Sequence, residues 1–327
     1  MHLEVPLATL ALHLASVNSQ RLTKPALWPN LDKFGPTLTS ELPRHNIGIQ
    51  TWQAGTISSG CRDVAVRDGF SPNQFQAYSV TFDDVSSFPP RPDTKADQDN
   101  KCAQSWNFCI QTGSSQSIED LAAAFGQAPV RMRQWTSEVV LEASGGGANA
   151  WKQIITMKQP GTPQVFIHEI SHTADSGGGY KSPSASTSTA WVGAYNVDLD
   201  VPDTYAQTNQ QENFAQFGNL IIYDRITNGQ LRNETDLYKI GNQLNTMADQ
   251  ADNGQYGGRL FDVGNGLTCT ARYANTAPVN VNVVGHIEDE FAKNFTIEAQ
   301  MALGVEHGIS VMAELPAVDE PTTCLGL

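Results

Sequence analysis

Five consecutive residues, His168-Glu169-Ile170-Ser171-His172, form an H-E-x-x-H pattern that is typical of zinc sites on helices. Two histidines four residues apart lie one turn above each other on an α-helix, so both imidazoles can reach one metal ion. Glu169 is offset by one position and is expected to contact a water on the zinc ion instead of the ion itself. The pattern therefore predicts Zn²⁺ as a cofactor, with His168 and His172 as two of its ligands.

The residues around the motif favour a buried helix. Thr162 to Ile167 gives a turn followed by an apolar run, and Ile170 and Ser171 are apolar or small. The alternative is a surface helix that carries two histidines by chance. The apolar context favours the metal site over this alternative.

A third ligand is needed, because catalytic zinc usually has three protein ligands and one open position for water. A metzincin would have a glycine at Asp175 and a third histidine at Gly178, so that class is excluded. A gluzincin takes a glutamate from a later helix, and Glu212 is the candidate. An aspzincin would use Asp200 or Asp203, but the G-T-x-D-x-x-Y-G context of that class is absent.

A helix is predicted to begin just before Glu212. Thr208 and Gln211 have the spacing of a capping box, and apolar residues continue at helical spacing to about Asp224. Glu212 therefore lies in the first turn of a partly buried helix. A carboxylate at this position is either a metal ligand or a capping charge that favours the helix dipole, and the spacing leaves both alternatives open.

The string from Tyr205 to Ala215, Y-x-x-T-N-x-x-E-x-F-A, together with the H-E-x-x-H motif resembles the gluzincin catalytic domain of the anthrax lethal factor type. In that family the glutamate of the string is the third zinc ligand, and the tyrosine seven residues before it faces the metal. The resemblance therefore implies Glu212 as the third ligand and Tyr205 as a catalytic residue beside the metal.

A wider resemblance, over about Gly55 to Phe295, is to fungal secreted conidiation-specific proteins, which look like distant members of this peptidase group. Besides the two zinc motifs, three segments carry it: Val80–Asp84, Ser105–Cys109 and Ala128–Arg133.

Two positions depart from these patterns. Gln216 replaces an acidic residue of the lethal factor type; its amide can accept a hydrogen bond from a histidine ligand but raises the ligand's basicity less than a carboxylate would. Val85 replaces a cysteine of the fungal proteins, and a Pro-, Asp- and Lys-rich insertion follows it from Ser86 to Lys101. Cys102 is the candidate to take over the role of the missing thiol.

Composition limits the classes of partner. The 327 residues carry a formal net charge of −14, with 40% hydrophobic and 17% charged residues, which is typical of a soluble globular protein. Nucleic acid and anionic membrane surfaces both require a basic protein surface, so we expect neither as a partner. No apolar stretch reaches the 18 or so residues of a membrane span. We expect a monomer that acts on a peptide or protein substrate.

Residues 1–19 are a candidate signal peptide, with an apolar stretch from Leu7 to Ala15, although Glu4 and His13 interrupt the usual pattern. Two glycosylation sequons, at Asn233 and Asn294, also fit a secretory route. The chain is therefore predicted to be secreted.

Five cysteines make an odd number, so at least one thiol is unpaired or pairs between chains. Cys102 and Cys109 would close a short loop around Trp106 and are the predicted disulfide. Cys269 with Cys324 is the second expectation.

We predict an α+β, zincin-like fold in which the H-E-x-x-H helix packs under a small mixed sheet. Residues 20–115 form a strand- and loop-rich part, including a strand over Ala77–Phe82. Residues 116–327 form the catalytic part, and together the two parts form one compact domain. Helices are expected at Ile118–Phe125 and Val130–Glu142.

Two segments flank the motif helix. Trp151–Met157 alternates like a strand, and an extended substrate is expected to pair with it. Asp175–Thr189, rich in Gly and Ser, is predicted to be a flexible loop and a candidate lid.

These features favour a secreted zinc-dependent metallopeptidase. Glu169 is the expected general base, and Tyr205 is the expected donor to the oxyanion of the tetrahedral intermediate. The alternative is a secreted developmental protein that binds zinc and keeps the fold without proteolysis.

Overall fold

A computed structural model describes residues 21–85, 104–264, 267, 269–270 and 272–282. The strands are β1 Ile47–Thr51, β2 Thr56–Ser58, β3 Phe75–Phe82, β4 Trp106–Gln111, β5 Glu138–Leu141, β6 Ala148–Trp151, β7 Ile154–Met157 and β8 Pro278–Asn280. The α-helices are α1 Gly35–Glu41, α2 Ser59–Arg67, α3 Ile118–Gly126, α4 Val130–Arg133, α5 Pro163–Gly177, α6 Thr189–Val197, α7 Gln210–Ile226 and α8 Gly241–Asp252. The protein therefore has a mixed α+β architecture.

Six of the strands form one mixed sheet in the order β1-β3-β4-β5-β7-β6. Strands β4, β5 and β7 are parallel, while β1, β3 and β6 run antiparallel to their neighbours. The sheet crosses the predicted boundary at residue 115, because β4 from the first part pairs with β5 from the second. Strands β2 and β8 form a separate pair.

The two faces of the sheet contribute to two apolar clusters, since successive side chains along a strand point to opposite faces. Phe108 and Val139 belong to the larger cluster, which also contains the apolar side chains of α3, α5 and α7. Their neighbours Cys109 and Val140 belong to the smaller cluster with α2. The sheet thus lies between α2 on one side and the H-E-x-x-H helix α5 on the other.

Helix α7 packs closely against α5, and Gly218 makes this approach possible. A Cβ atom at Gly218 would lie 2.6 Å from the Ser171 hydroxyl oxygen of α5, which is closer than Cβ atoms come to other heavy atoms. Large apolar side chains, such as Ile167 of α5 and Phe217 of α7, are fully buried on both helices. This contact fixes the position of the first turn of α7 relative to the motif.

A predicted helix and a predicted strand are present, whereas another predicted helix is wrong. Helix α3 and strand β3 cover the predicted helix at 118–125 and strand at 77–82. The helix predicted over Val130–Glu142 is wrong, because α4 ends at Arg133 and β5 begins at Glu138. Strand β5 is internal and parallel to both its neighbours, and such strands read as continuous apolar runs without alternation.

The strand predicted over Trp151–Met157 is also wrong as a single element. The chain turns at Lys152 and Gln153, which both have positive φ angles of 48° and 63°, so that β6 and β7 form a hairpin. Strand β7 is hydrogen-bonded on both sides, to β5 and β6. The strand immediately before α5 therefore has no open edge for a substrate, whereas β6 lies at the end of the sheet.

The disulfide prediction for Cys102 and Cys109 is wrong. Cys109 in β4 is bonded to Cys61 in α2, across 48 residues of sequence. Both cysteines are buried on the α2 face of the sheet, where a helix residue and a strand residue come within a Cα separation of 6.1 Å. Cys269 is also disulfide-bonded, while Cys102 and Cys324 lie outside the described residues. None of the helices in the described ranges is long and apolar enough to span a membrane.

Candidate metal centre

Helix α5 presents the two histidines of the motif toward α7. The Thr162 hydroxyl accepts a hydrogen bond from the backbone N–H of Val165, Pro163 occupies the first turn, and Gly178 ends the helix with a φ of 79°. These are ordinary start and stop signals, so the helix boundaries follow from local sequence. The side chains of His168 and His172 are 6% and 14% exposed, so both imidazoles are largely removed from water.

Glu212 reaches the histidines from the first turn of α7. The N-cap is Asn209, whose side-chain oxygen accepts a hydrogen bond from the backbone N–H of Glu212 at 2.9 Å. The predicted capping box of Thr208 and Gln211 is therefore wrong by one residue. The Glu212 carboxylate contacts the two histidines of α5, and its side chain is 1% exposed.

Three donor atoms converge at this point. The Nε2 atoms of His168 and His172 lie 3.1 Å apart, and they lie 2.9 and 3.2 Å from Oε2 of Glu212. Tetrahedral zinc with bonds of about 2.0–2.1 Å places its ligand atoms about 3.3 Å apart. The two imidazoles and the carboxylate therefore have the chemistry and nearly the spacing that a zinc ion requires.

Burial disfavours the charged form of Glu212. The positive charge that His172 and His168 can carry, together with their hydrogen bonds to the carboxylate, favours the charged form more strongly. The net result is a pKa of Glu212 well below its usual range. A carboxylate held ionised in a buried position needs a cationic partner. Protonated histidines can supply this charge, and a divalent cation at the same point would supply it while leaving both imidazoles neutral.

Glu169 has an unsatisfied carboxylate. The residue is fully buried, and neither of its side-chain oxygens has a hydrogen-bond partner within the described part of the chain. Burial raises the pKa of Glu169 to about 8, with His168 opposing this shift and Glu212 adding to it. A nearby divalent cation would lower this pKa again. Buried carboxylates without partners are rare in structural roles, so this one is a candidate for proton transfer.

Tyr205 lies beside the same cluster. Its ring centroid is 5.5 Å from that of His168, and its buried hydroxyl has no hydrogen-bond partner among the residues that the structure describes. Burial, together with repulsion from the Glu212 and Glu169 carboxylates, raises the pKa of Tyr205 above its usual range. The phenol therefore stays protonated and can only act as a hydrogen-bond donor toward a developing negative charge.

A second layer of polar groups supports His168. Its Nδ1 atom lies 3.2 Å from Oε1 of Gln216, and Nε2 of Gln216 donates to Oδ2 of Asp203 at 2.7 Å. Asp203 thus lies behind Gln216 and is not a third ligand. Asp200 instead faces Lys239 at 3.7 Å. Neither aspartate takes the position that the aspzincin alternative requires. Asp203 was missed as a supporting residue, and only its place two residues before Tyr205 gave a signal.

The segment after the motif helix is anchored to its neighbours. Asp175, predicted to lie in a loop, belongs to the last turn of α5, and its half-buried carboxylate accepts hydrogen bonds from the backbone and hydroxyl of Ser186. The backbone of Lys181 and Ser182 donates to the backbone and side chain of Gln250 in α8. The prediction of a loop is correct only for residues 178–184, and hydrogen bonds tie this loop to α5 and α8.

Comparison with known proteins places the chain in a family. A curated relative, Conidiation-specific protein 13 of Neurospora crassa, is 27% identical over 183 residues, which cover 54% of this chain and 48% of the relative. The match thus spans about half the length of that protein. No solved structure matches the chain. The profile of the family described as Conidiation-specific protein Con-13 matches residues 34–273, which include every residue of the candidate metal centre. The chain belongs to the Conidiation-specific protein Con-13 family.

Proposed function

We propose that the protein is a zinc-dependent metallopeptidase of gluzincin type with a zincin-like fold. One observation supports this most strongly: three ligand atoms from His168, His172 and Glu212 meet within 3.2 Å of one another. Two groups suited to catalysis, the Glu169 carboxylate and the Tyr205 hydroxyl, lie beside them without hydrogen-bond partners in the described structure. Structural histidine clusters do not require such unsatisfied neighbours.

Zinc bound by these three residues would supply a Lewis acid that lowers the pKa of water and polarises a carbonyl group. Glu169 then accepts the proton of the attacking water and delivers it to the leaving amine. Tyr205 donates its hydroxyl proton in a hydrogen bond to the oxyanion of the tetrahedral intermediate. Because Glu169 is fully buried, bulk water is excluded around it. This strengthens the interaction of Glu169 with the attacking water and that of Tyr205 with the oxyanion.

The edge of the sheet offers a place for an extended peptide. Strand β6 packs against α5 and, within the described residues, pairs with no strand other than β7, so its outer edge lacks a strand partner. Three of its four residues are buried, so a peptide would have to displace what covers this edge. An extended peptide can add to such an edge through main-chain hydrogen bonds. We therefore place the proposed peptide substrate along β6 instead of β7.

We also propose that the protein is secreted and acts as a monomer, without nucleic acid or membrane partners. The candidate signal peptide at residues 1–19 supports secretion. So does the Cys61–Cys109 disulfide, because disulfides persist mainly in oxidising compartments. Asn233, the first residue of its sequon, is the last residue of a short 3₁₀ helix and is exposed, so it is accessible to glycosylation.

A second candidate function is a zinc-binding developmental protein without proteolysis. The burial of the centre favours it, since Glu169 is fully buried and the more exposed of the two histidines, His172, is only 14% exposed. A peptide bond reaches such a centre only after local opening. The matching curated relative is described only as conidiation-specific.

Metal analysis and a peptide-cleavage screen distinguish the two functions. The purified protein is expected to contain about one zinc per chain and to cleave peptides from a broad library. The Glu169→Gln variant is the control, because it should keep the zinc and lose the cleavage. Zinc without cleavage in both proteins would favour the binding function, and no zinc in the wild type would exclude both.

A further inference from the structure

We propose that Asp203 is a positioning residue that fixes the orientation of the Gln216 amide and thereby the tautomer of His168. This inference rests on the proposed zinc centre, although it does not require that the centre cleaves peptides. It assigns to Asp203 and Gln216 together the task that a single carboxylate behind a histidine ligand performs elsewhere.

The direction of the two hydrogen bonds follows from the donor and acceptor capacity of each group. Burial raises the pKa of Asp203 to about 6, so at neutral pH its carboxylate is ionised and can only accept. Gln216 must therefore direct its NH₂ group toward Asp203, at 2.7 Å. The carbonyl oxygen of Gln216 then faces Nδ1 of His168 at 3.2 Å, and Nδ1 must carry a hydrogen. The Nε2 atom of His168 is consequently left with its lone pair toward His172 and Glu212, as a metal ligand requires.

Without an acceptor at Asp203, the amide of Gln216 has no preferred orientation. If it were rotated by 180°, its NH₂ group would donate to Nδ1 of His168 and move the histidine proton to Nε2. A protonated Nε2 has no lone pair and cannot bind a metal ion. Asp203 therefore excludes the wrong tautomer from a distance, without any contact of its own with the metal.

Burial and hydrogen bonds hold the Asp203 carboxylate in a fixed position. It is 3% exposed, and its other oxygen, Oδ1, accepts a hydrogen bond from the backbone N–H of Ala206 at 2.8 Å. The loop that carries Asp203 is also hydrogen-bonded to the segment at Leu27 and Trp28. Hydrogen bonds join the backbone of Leu27 to Val201 at 2.7 Å and that of Trp28 to Pro202 at 3.0 Å.

Asp203→Asn is the sharpest single change, because it keeps the shape of the side chain. The introduced amide can still accept from Ala206 through its carbonyl oxygen, but it then presents an NH₂ group to the NH₂ group of Gln216. Two donors cannot bond to each other, so the Gln216 amide is expected to rotate. Zinc affinity, measured by competition with a chelator of known affinity, should fall about 10- to 100-fold.

Exchanging the two groups should restore the site. In Asp203→Asn/Gln216→Glu, the introduced amide donates to the introduced carboxylate, and this carboxylate accepts from Nδ1 of His168. Zinc affinity is expected to return to within about threefold of the wild type. A role of Asp203 in folding alone predicts no such recovery, because the second substitution adds nothing to the contact with Ala206.

Asp198→Asn is the matched control. Asp198 is also 3% exposed, and its carboxylate accepts hydrogen bonds from the backbone N–H groups of Asn242 and Gln243, in the first turn of α8, at 2.9 and 2.7 Å. This variant should unfold at a lower temperature and bind zinc with wild-type affinity once folded.

The inference is overturned if Asp203→Asn binds zinc within about threefold of the wild type. It is also overturned if the double variant binds as weakly as Asp203→Asn. A wild-type protein that binds no zinc removes the proposed function and this inference together. If the variants differ in zinc affinity as expected but the wild type cleaves no peptide, this inference is supported. Only the proposed peptidase activity is then contradicted.

Discussion

The Nε2 atoms of His168 and His172 lie 3.1 Å apart, and one oxygen of Glu212 lies within 3.2 Å of both. Two imidazole nitrogens this close cannot both be protonated without strong repulsion, and a shared carboxylate relieves this repulsion only in part. A single divalent cation would replace the protons and satisfy all three atoms. We therefore predict that zinc stabilises the fold.

We predict that Glu212→Gln removes most of the stabilisation that zinc gives. A ligand present at a hundredfold excess over its Kd stabilises the folded state by about 2.7 kcal/mol, so zinc should raise the Tm of the wild type by several degrees. The variant should show little of this rise, because a neutral amide is a poor zinc ligand. Thermal unfolding with and without zinc measures the difference.

A control for this change is Glu234→Gln, which removes a surface carboxylate paired with Lys33 at 2.8 Å. It should keep the full response to zinc. An equal response in Glu212→Gln would show that Glu212 is not a ligand.

The second prediction concerns Glu169→Gln. The variant should keep zinc and fold while peptide turnover falls by about two to four orders of magnitude, because the amide cannot accept the proton of the water. Because both carboxylate oxygens of Glu169 are without partners in the described structure, the substitution breaks no hydrogen bond. Zinc content, circular dichroism and initial rates measure zinc binding, folding and turnover. Unchanged turnover would exclude Glu169 as the base.

The third prediction concerns Tyr205→Phe. The Tyr205 hydroxyl is buried and has no partner among the described residues, so its removal should change the stability by less than about 1 kcal/mol. As an oxyanion donor it acts only once charge develops, so kcat should fall much more than KM rises. The expected loss is about 2–4 kcal/mol of transition-state stabilisation.

Tyr180→Phe is the control for Tyr205, because its hydroxyl is also buried without a partner in the described ranges while its ring packs against Phe214 and Phe261. It should leave kcat unchanged. If Tyr205→Phe unfolds early and its activity per folded molecule is intact, Tyr205 is a structural residue.

Local patterns were sufficient to predict only the H-E-x-x-H part of the candidate site. The spacing of His168 and His172 depends only on helical periodicity. The match to the string around Glu212 and Tyr205 supplied the other two residues. The convergence of α5 and α7 depends on tertiary packing, including the approach at Gly218, and no periodicity in the sequence reports such a contact.

Long-range relationships were predicted less well. Cys61 pairs with Cys109 because α2 crosses the face of β4, whereas sequence proximity favoured Cys102. The β5 segment around Val140 cannot be distinguished from a buried helix by its pattern, because an internal parallel strand has no alternation of polar and apolar residues. The role of Asp203 depends on a hydrogen bond to Gln216, thirteen residues away, which spacing alone does not indicate.

The fourth prediction concerns the Cys61–Cys109 disulfide. A crosslink across 48 residues restricts the unfolded chain and should stabilise the fold by about 4 kcal/mol. Cys61→Ala and Cys109→Ala should each lose most of this stabilisation in denaturant unfolding. The double variant should lose little more than either single variant, since the crosslink is lost only once. Additive losses would show that the two cysteines contribute by packing and not through a shared bond.

The last prediction concerns the pH dependence of stability. The buried Glu142 carboxyl lies beside Asp68, with Lys158 at 3.7 Å. Burial, with the hydrogen bond and negative charge of Asp68, raises the pKa of Glu142 to about 8, and Lys158 and Arg67 oppose the shift only in part. In the unfolded chain this carboxyl loses its proton near its ordinary pKa of about 4.3.

Between about pH 4.5 and pH 8 the folded state thus holds a proton that the unfolded state has released. Stability falls with rising pH wherever the folded state binds more protons. The contribution of Glu142 is therefore fully present below about pH 4.5 and is lost as the pH approaches about 8. Glu142→Gln mimics the protonated form, so the free energy of unfolding of the variant should exceed that of the wild type by an amount that grows from about pH 5 to about pH 8. Denaturant unfolding at several pH values measures this difference, with the exposed Glu41→Gln as the control. A difference that does not change with pH would show that Glu142 is ionised in the folded protein across this range.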